Sequence, residues 1–111
     1  MKIPIPDGSS FLGYLTTKGR VTGKEHTVKL RLVFYKGRFF ASRRSLAGDW
    51  LKNVMTNPSV SVEVNGTVVE GLARLVEDDE LSRKISELKY DDIRREESRV
   101  VVEITPIEST E

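Results

Sequence analysis

The stretch TVKLRLVFYKGRFFAS, residues 27–42, decides the fold, because it predicts two neighbouring antiparallel strands. Its first nine residues have the two-residue period of a strand with one buried face. Val28, Leu30, Leu32 and Phe34 fall on one face, and Thr27, Lys29, Arg31 and Tyr35 fall on the other. The Lys36-Gly37-Arg38 segment is a tight-turn signal, and FFAS, residues 39–42, returns as a short strand.

Four further segments have strand character. A first strand covers Phe11 to Thr17 and ends in a loop that contains Gly19 and Gly23. A second hairpin joins residues 60–64 to residues 67–76 through Asn65-Gly66, which is the strongest short hairpin signal in the chain. Residues 99–105 form a last strand, in which Val100, Val102 and Ile104 point to one side.

Two segments have helical spacing. The first is predicted to begin at a capping Ser45 and to end at Met55, before Asn57-Pro58. The second begins near Asp78 with an acidic first turn, which suits the helix dipole. Its apolar stripe consists of Leu81, Ile85, Leu88 and Ile93.

The predicted order is β-β-β-α-β-β-α-β, in a mainly β (α+β) domain that spans residues 1–111. This order excludes a doubly wound parallel sheet, which needs a crossover helix between most strands. Six antiparallel strands avoid two open edges when the sheet curls into a small barrel, and we expect the helices to cover the open ends.

The composition excludes several kinds of chemistry. The chain has no cysteine and His26 is its only histidine, so a thiol nucleophile, a disulfide and a multi-histidine metal site are excluded. Redox chemistry would therefore need a cofactor. The sequence shows neither a secretion signal nor an apolar run long enough to span a membrane, which predicts a cytoplasmic location.

Charge is distributed unevenly along the chain. Residues 1–56 contain eleven basic and three acidic side chains, a balance of +8, whereas residues 57–111 contain seven and fourteen, a balance of −7. The basic half predicts an anionic ligand. Alternatively, the two halves pair with each other across the fold or with a second subunit.

Two turns concentrate the basic residues. The loop of residues 18–24 combines three cations, two glycines and the Thr22 hydroxyl, a set that suits a phosphate or a row of carboxylates. The SRRS segment, residues 42–45, places two arginines directly before a helix N-terminus. The alternatives are a solvated hairpin tip for the first turn and surface ion pairs for the second.

Three segments resemble the deazaflavin-dependent nitroreductase family, a branch of the flavin-binding split β-barrel superfamily that includes pyridoxamine phosphate oxidase-like proteins. They are TTKGRVTGKEHTVKL (16–30), YKGRFFASRR (35–44) and WLKNVMTNPSVSVEV (50–64). The resemblance implies a six-stranded antiparallel split β-barrel with two helices. It also implies cofactor-binding residues, with Arg20, Thr22, Gly23, Lys24, His26 and Lys29 serving the anionic tail of coenzyme F420, and Ser42, Arg43, Arg44, Trp50 and Asn53 serving the phosphate and ring.

The sequence leaves two candidate cofactors, F420 and FMN. The segment FFASRRS resembles the sister branch that binds flavin mononucleotide (FMN), whereas Trp50 resembles the deazaflavin branch. The family resemblance implies an oxidoreductase that transfers a hydride from F420 or FMN to a small electrophile. It also implies a homodimer with the cofactor near the interface.

Two other classes of function are possible. One is a carrier or sensor that binds the cofactor without turnover. The other, less favoured, is a single-stranded nucleic-acid-binding barrel in which Phe34, Phe39 and Phe40 stack on bases near the cations. Phe34 argues against it, because it belongs to the apolar face of its strand, so we expect no nucleic-acid partner.

Overall fold

The computed structural model describes residues 5–19, 22–43, 49–89 and 100–107, without the side chains of Arg43 and Asp49. Six strands and two helices follow one another in the predicted order. They are β1 (Ser9–Lys18), β2 (Glu25–Tyr35), β3 (Arg38–Arg43), α1 (Asp49–Thr56), β4 (Ser59–Val64), β5 (Thr67–Leu75), α2 (Asp79–Lys89) and β6 (Val100–Pro106). The predicted helix start at Ser45 and the last member of the second apolar stripe, Ile93, lie outside the described residues.

The strands form a closed barrel in the order β1-β2-β3-β6-β5-β4. Every neighbouring pair is antiparallel. Strand β5 takes part in two ladders, pairing with β4 in its first half and with β6 in its second. The predicted fold class is therefore confirmed.

Two hairpin turns set the register of their strands. Lys36 and Gly37 between β2 and β3 have φ values of 51° and 78°, and Asn65 and Gly66 between β4 and β5 have 50° and 79°. Positive φ at both central residues is the type I′ geometry, whose twist matches that of the flanking strands. Asn and Gly tolerate this geometry best, so the second turn confirms the strongest hairpin signal of the sequence.

The barrel interior is the main core. It contains the inward-facing residues of all six strands together with Trp50, Leu51 and Val54 of α1. The Phe39 ring lies 5.2 Å from that of Phe34 and 6.0 Å from that of Phe11, measured between centroids. Helix α1 thus contributes its apolar side to the barrel core, as its spacing predicts.

Helix α2 covers the outside of the barrel, which corrects the expectation that both helices cover its ends. Its Ile85 packs with Val33, Phe40 and Val101, which point away from the barrel interior. The helix begins where Asp78 Oδ1 accepts hydrogen bonds from the backbone N–H groups of residues 80 and 81, at 2.9 and 3.2 Å. A second, smaller core therefore lies between α2 and the outer surface of β2, β3 and β6.

A buried carboxylate joins three strands on the same outer surface. Glu103 of β6 is only 1% exposed, and it accepts hydrogen bonds from Arg38 of β3 at 3.1 Å and Arg74 of β5 at 2.8 Å. The hydrogen bond to Glu103 and its charge raise the pKa of Arg74. The two arginines thus supply the opposite charge that a buried carboxylate requires.

Candidate functional site

The turn between β1 and β2 is closed by its own backbone hydrogen bonds. Gly19 N–H donates to the Lys24 carbonyl at 2.7 Å, and Gly23 N–H donates to the Gly19 carbonyl at 2.9 Å. Lys24 N–H donates to the Thr22 hydroxyl at 3.2 Å. These three N–H groups are therefore already engaged and are not available to an anion at this turn.

The side chains of this turn suit an anionic group. Thr22, Lys24 and His26 are exposed, and the Thr22 hydroxyl, which accepts one bond, can still donate its hydrogen. Gly23 has a φ of 73°, which a residue with a side chain adopts only at a cost. Arg20 lies outside the described residues. The donor set of the turn fits the charged tail or phosphate of a cofactor.

A buried polar contact links α1 to this turn. Asn53 Nδ2 donates to Thr17 Oγ1 at 3.4 Å, and both residues are buried. Thr17 is the cross-strand partner of His26. The ring of His26 lies close to Gly19, because a Cβ added at Gly19 would come within 3.2 Å of His26 Nε2. The fold therefore brings Asn53 and His26, two predicted site residues, to the same end of the barrel.

The end of β3 holds the second predicted turn. Ser42 is buried, and Lys89 Nζ donates to its hydroxyl at 3.0 Å and approaches its carbonyl at 3.5 Å. The backbone of Arg43 pairs with Val100 of β6. Arg44 lies outside the described residues. Lys89 therefore fixes Ser42 directly before the two arginines.

Other predicted site residues lie apart from these contacts. Lys29 is exposed on the outer surface of the barrel, opposite Tyr14 of β1. Trp50 is 7% exposed and belongs to the barrel core, so little of its ring is accessible in this structure. The cofactor-binding roles of these two residues stay predictions.

The aromatic residues of β2 and β3 do not form an exposed platform. Phe34 and Phe39 belong to the barrel core, and Phe40 packs in the outer cluster beneath α2. Base stacking needs accessible ring faces. The burial of these rings removes the feature on which the nucleic-acid alternative depended.

Two residues of this region were not singled out from the sequence. Thr17 belongs to the TTKGR segment, but alternation alone does not show that its hydroxyl meets a helix. Lys89 carries only the general signal of a basic residue in the last turn of a helix. Its contact with Ser42 joins residues 47 positions apart, which no local pattern indicates.

The described residues contain no group of three or more His, Cys, Asp or Glu side chains that could hold a metal ion. None of the helices in this part of the chain has the length and apolar character needed to cross a membrane.

The six strands and two helices define a split β-barrel, with the cationic turn between its first two strands. The family model described as F420H(2)-dependent quinone reductase matches residues 6–103. The chain therefore belongs to the F420H2-dependent quinone reductase family, which agrees with the resemblance noted in its sequence. No curated protein matches the chain significantly.

Solved structures share the fold. General Stress Protein 26 from Bacillus anthracis is 25% identical, with a TM-score of 0.67 over 86% of this chain and 78% of that one. The conserved hypothetical protein Rv2991 from Mycobacterium tuberculosis is 23% identical, with a TM-score of 0.70 over 89% and 74%. An F420-H2 dependent reductase, FDR-A, is 22% identical, with a TM-score of 0.63 over 93% and 99%.

Proposed function

We propose that this protein is an oxidoreductase that uses coenzyme F420 and reduces a small, unsaturated electrophile. The family match carries the proposal, because residues 6–103 include both cationic turns. The exposed Lys24 supports it, since it supplies positive charge beside this turn, and the exposed His26 adds ring nitrogens that can form hydrogen bonds. FMN is the second cofactor to test, on the resemblance of residues 39–45.

The chain contributes binding and orientation in this proposal. The side chains of Arg20, Thr22, Lys24 and His26 bind the anionic tail, and the turn after Ser42 binds nearer the ring. When bound, F420 in its reduced form supplies a hydride, so no nucleophilic side chain is needed. The protein positions the two reactants and excludes water. We further propose a cytoplasmic homodimer with the cofactor near its interface.

Titration of the purified protein with F420 and, separately, with FMN tests cofactor binding. We expect F420 to bind at micromolar concentration and Lys24→Ala to weaken it, with a loss that shrinks as salt is added. Lys84→Ala is the matched control, because Lys84 is an exposed lysine of α2. No binding of either cofactor would contradict the proposal.

An assay with reduced F420 then separates an enzyme from a carrier or sensor. Quinones and nitroaromatic compounds are suitable first acceptors, because each accepts a hydride and a proton. Oxidation of F420 that depends on both protein and acceptor supports the enzyme. Binding without oxidation in the presence of any acceptor would favour the carrier or sensor.

A further inference from the structure

The last turn of α2 contacts the end of β3 on the outer surface of the barrel. Lys89 Nζ donates to the Ser42 hydroxyl at 3.0 Å and lies 3.5 Å from the Ser42 carbonyl oxygen. Ser42 faces outward, because it pairs with Val101, which packs beneath α2. The contact therefore brings a positive charge from α2 to the segment in which Arg43 and Arg44 follow Ser42.

The packing of α2 fixes the position of Lys89. Lys89 follows Ile85 by four positions, so the two side chains lie on the same face of the helix. Ile85 is fully buried and Ser86 is nearly so, which holds this part of α2 against the barrel. A positive charge also suits the last turn of a helix. The ammonium group is therefore held beside Ser42 by the same packing that anchors the helix.

The Ser42 hydroxyl can donate one hydrogen bond in addition to the bond that it accepts. Its oxygen accepts from Lys89, so its hydrogen is directed away from the ammonium group. Ser42 makes no further side-chain hydrogen bond to another residue that the structure describes. The residue is only 6% exposed, and a buried donor without an acceptor is costly. An oxygen atom of a ligand at this point would satisfy it.

A hydroxyl donor beside an ammonium group favours a negatively charged oxygen. Hydrogen bonds to charged oxygens are stronger than those to neutral ones, and lysine binds phosphate as a compact point charge. The two arginines that follow Ser42 in the chain provide further positive charge. A phosphate group, which has several oxygens and at least one negative charge, therefore suits this set of donors.

We infer that Lys89 is a positioning residue for the phosphate of the bound cofactor. It holds the Ser42 hydroxyl as a donor to a phosphate oxygen and adds its own positive charge beside it. The inference rests on the proposed function, because both candidate cofactors contain a phosphate. It adds a residue of α2 to a site whose residues predicted from the family resemblance all lie between positions 20 and 53.

A double-mutant cycle with F420 tests the inference, and FMN takes its place if only FMN binds. Lys89→Met and Ser42→Ala should each weaken binding roughly tenfold. The double variant should lose little more than either single variant, because Lys89 acts through Ser42. Lys89→Arg should keep most of the affinity. Lys84→Met, which removes an exposed lysine of the same helix, is the control and should bind as the wild type does.

Inorganic phosphate separates recognition of the anion from packing of the helix. In thermal unfolding without cofactor, phosphate should raise the Tm of the wild type more than sodium chloride of equal ionic strength does. This difference should persist in Lys89→Arg and shrink in Lys89→Met. Circular dichroism checks that each variant is folded. Lys89→Gln, which keeps a donor without the charge, replaces Lys89→Met if that chain does not fold.

The outcomes keep the inference and the proposed function apart. Three results would each overturn the inference: Lys89→Met binds the cofactor as Lys84→Met does, the losses of the two single variants add in full, or the phosphate response of Lys89→Met equals that of the wild type. If the wild type binds neither F420 nor FMN, the proposed function fails. The phosphate response then decides the role of Lys89 by itself.

Discussion

Replacing Glu103 by glutamine should destabilise the barrel more than any exposed charge substitution does. The carboxylate is buried and accepts hydrogen bonds from Arg38 on one neighbouring strand and Arg74 on the other. In Glu103→Gln the side chain keeps its shape, but its charge disappears and one acceptor oxygen becomes an NH₂ group facing a guanidinium donor. The substitution therefore breaks a bond at the centre of a three-strand contact without creating a cavity.

The size of the effect follows from the burial of the three partners. A buried polar group left without a suitable partner costs about 1–3 kcal/mol. The arginine side chains are 47% and 72% exposed, so water can hydrate them once the carboxylate is gone, which limits the loss. We expect the free energy of unfolding to fall by about 2 kcal/mol, with a drop in Tm on the order of 8 °C.

Chemical and thermal unfolding followed by circular dichroism measure this effect. All samples need one protein concentration, because self-association changes apparent stability. Glu87→Gln is the matched control, since Glu87 is exposed on α2, and it should change stability by less than about 0.5 kcal/mol. If Glu103→Gln were as stable as this control, the two arginine contacts would not contribute to stability and the reasoning would be wrong.

Three further predictions concern packing, backbone approach and the end of β3. Ile85→Ala should lower the free energy of unfolding by about 3 kcal/mol in denaturant titrations, because Ile85 is fully buried under α2. Gly71→Ala should reduce Tm, since its new Cβ would lie 2.8 Å from the Thr105 carbonyl oxygen, which belongs to the backbone and cannot move aside easily. Lys89→Met should weaken cofactor binding in a fluorescence titration, because it removes the positive charge that is held beside Ser42. Lys89→Arg keeps the charge and should bind the cofactor more tightly than Lys89→Met. Equal affinities of the wild type, Lys89→Met and Lys89→Arg would contradict a role of Lys89 in cofactor binding.

Local patterns were sufficient to predict the strands and their hairpins. The alternation in β2 and the Asn65-Gly66 turn involve neighbours in sequence, so their geometry depends on few distant contacts. The order of elements then excluded a parallel sheet and left a barrel as the economical arrangement. The structure confirms that arrangement and extends several strands by one or two residues.

Contacts between distant segments were not predictable in the same way. Alternation places Val33 on the outer side of β2 with Lys29 and Arg31, yet it is fully buried because α2 packs over that part of the strand. Glu103 likewise lies on the outer side of β6 and is buried by arginines from two other strands. Burial on an outer surface depends on what covers it, and period-two spacing carries no such information.

In the candidate site, too, features set by neighbouring residues were predictable and contacts between distant residues were not. Its exposed members Thr22, Lys24 and His26 follow from a local concentration of charge and glycine. The buried contacts of Asn53 with Thr17 and of Lys89 with Ser42 join residues 36 and 47 positions apart. A single sequence contains no signal for such pairs, although each residue type suits its contact.

The ladder between β1 and β4 closes the barrel and joins segments that lie far apart in the sequence. Only three residue pairs form it, from Tyr14–Glu63 to Thr16–Ser61, and their partners lie more than 40 positions apart. The β1–β2–β3 and β4–β5 units are joined by hairpins and can assemble early, whereas the β1–β4 and β3–β6 ladders each require closure of a long loop. The β1–β4 ladder has three residue pairs and the β3–β6 ladder has five, so we expect the β1–β4 ladder to open first and its amide hydrogens to exchange with solvent sooner than those in the middle of β2.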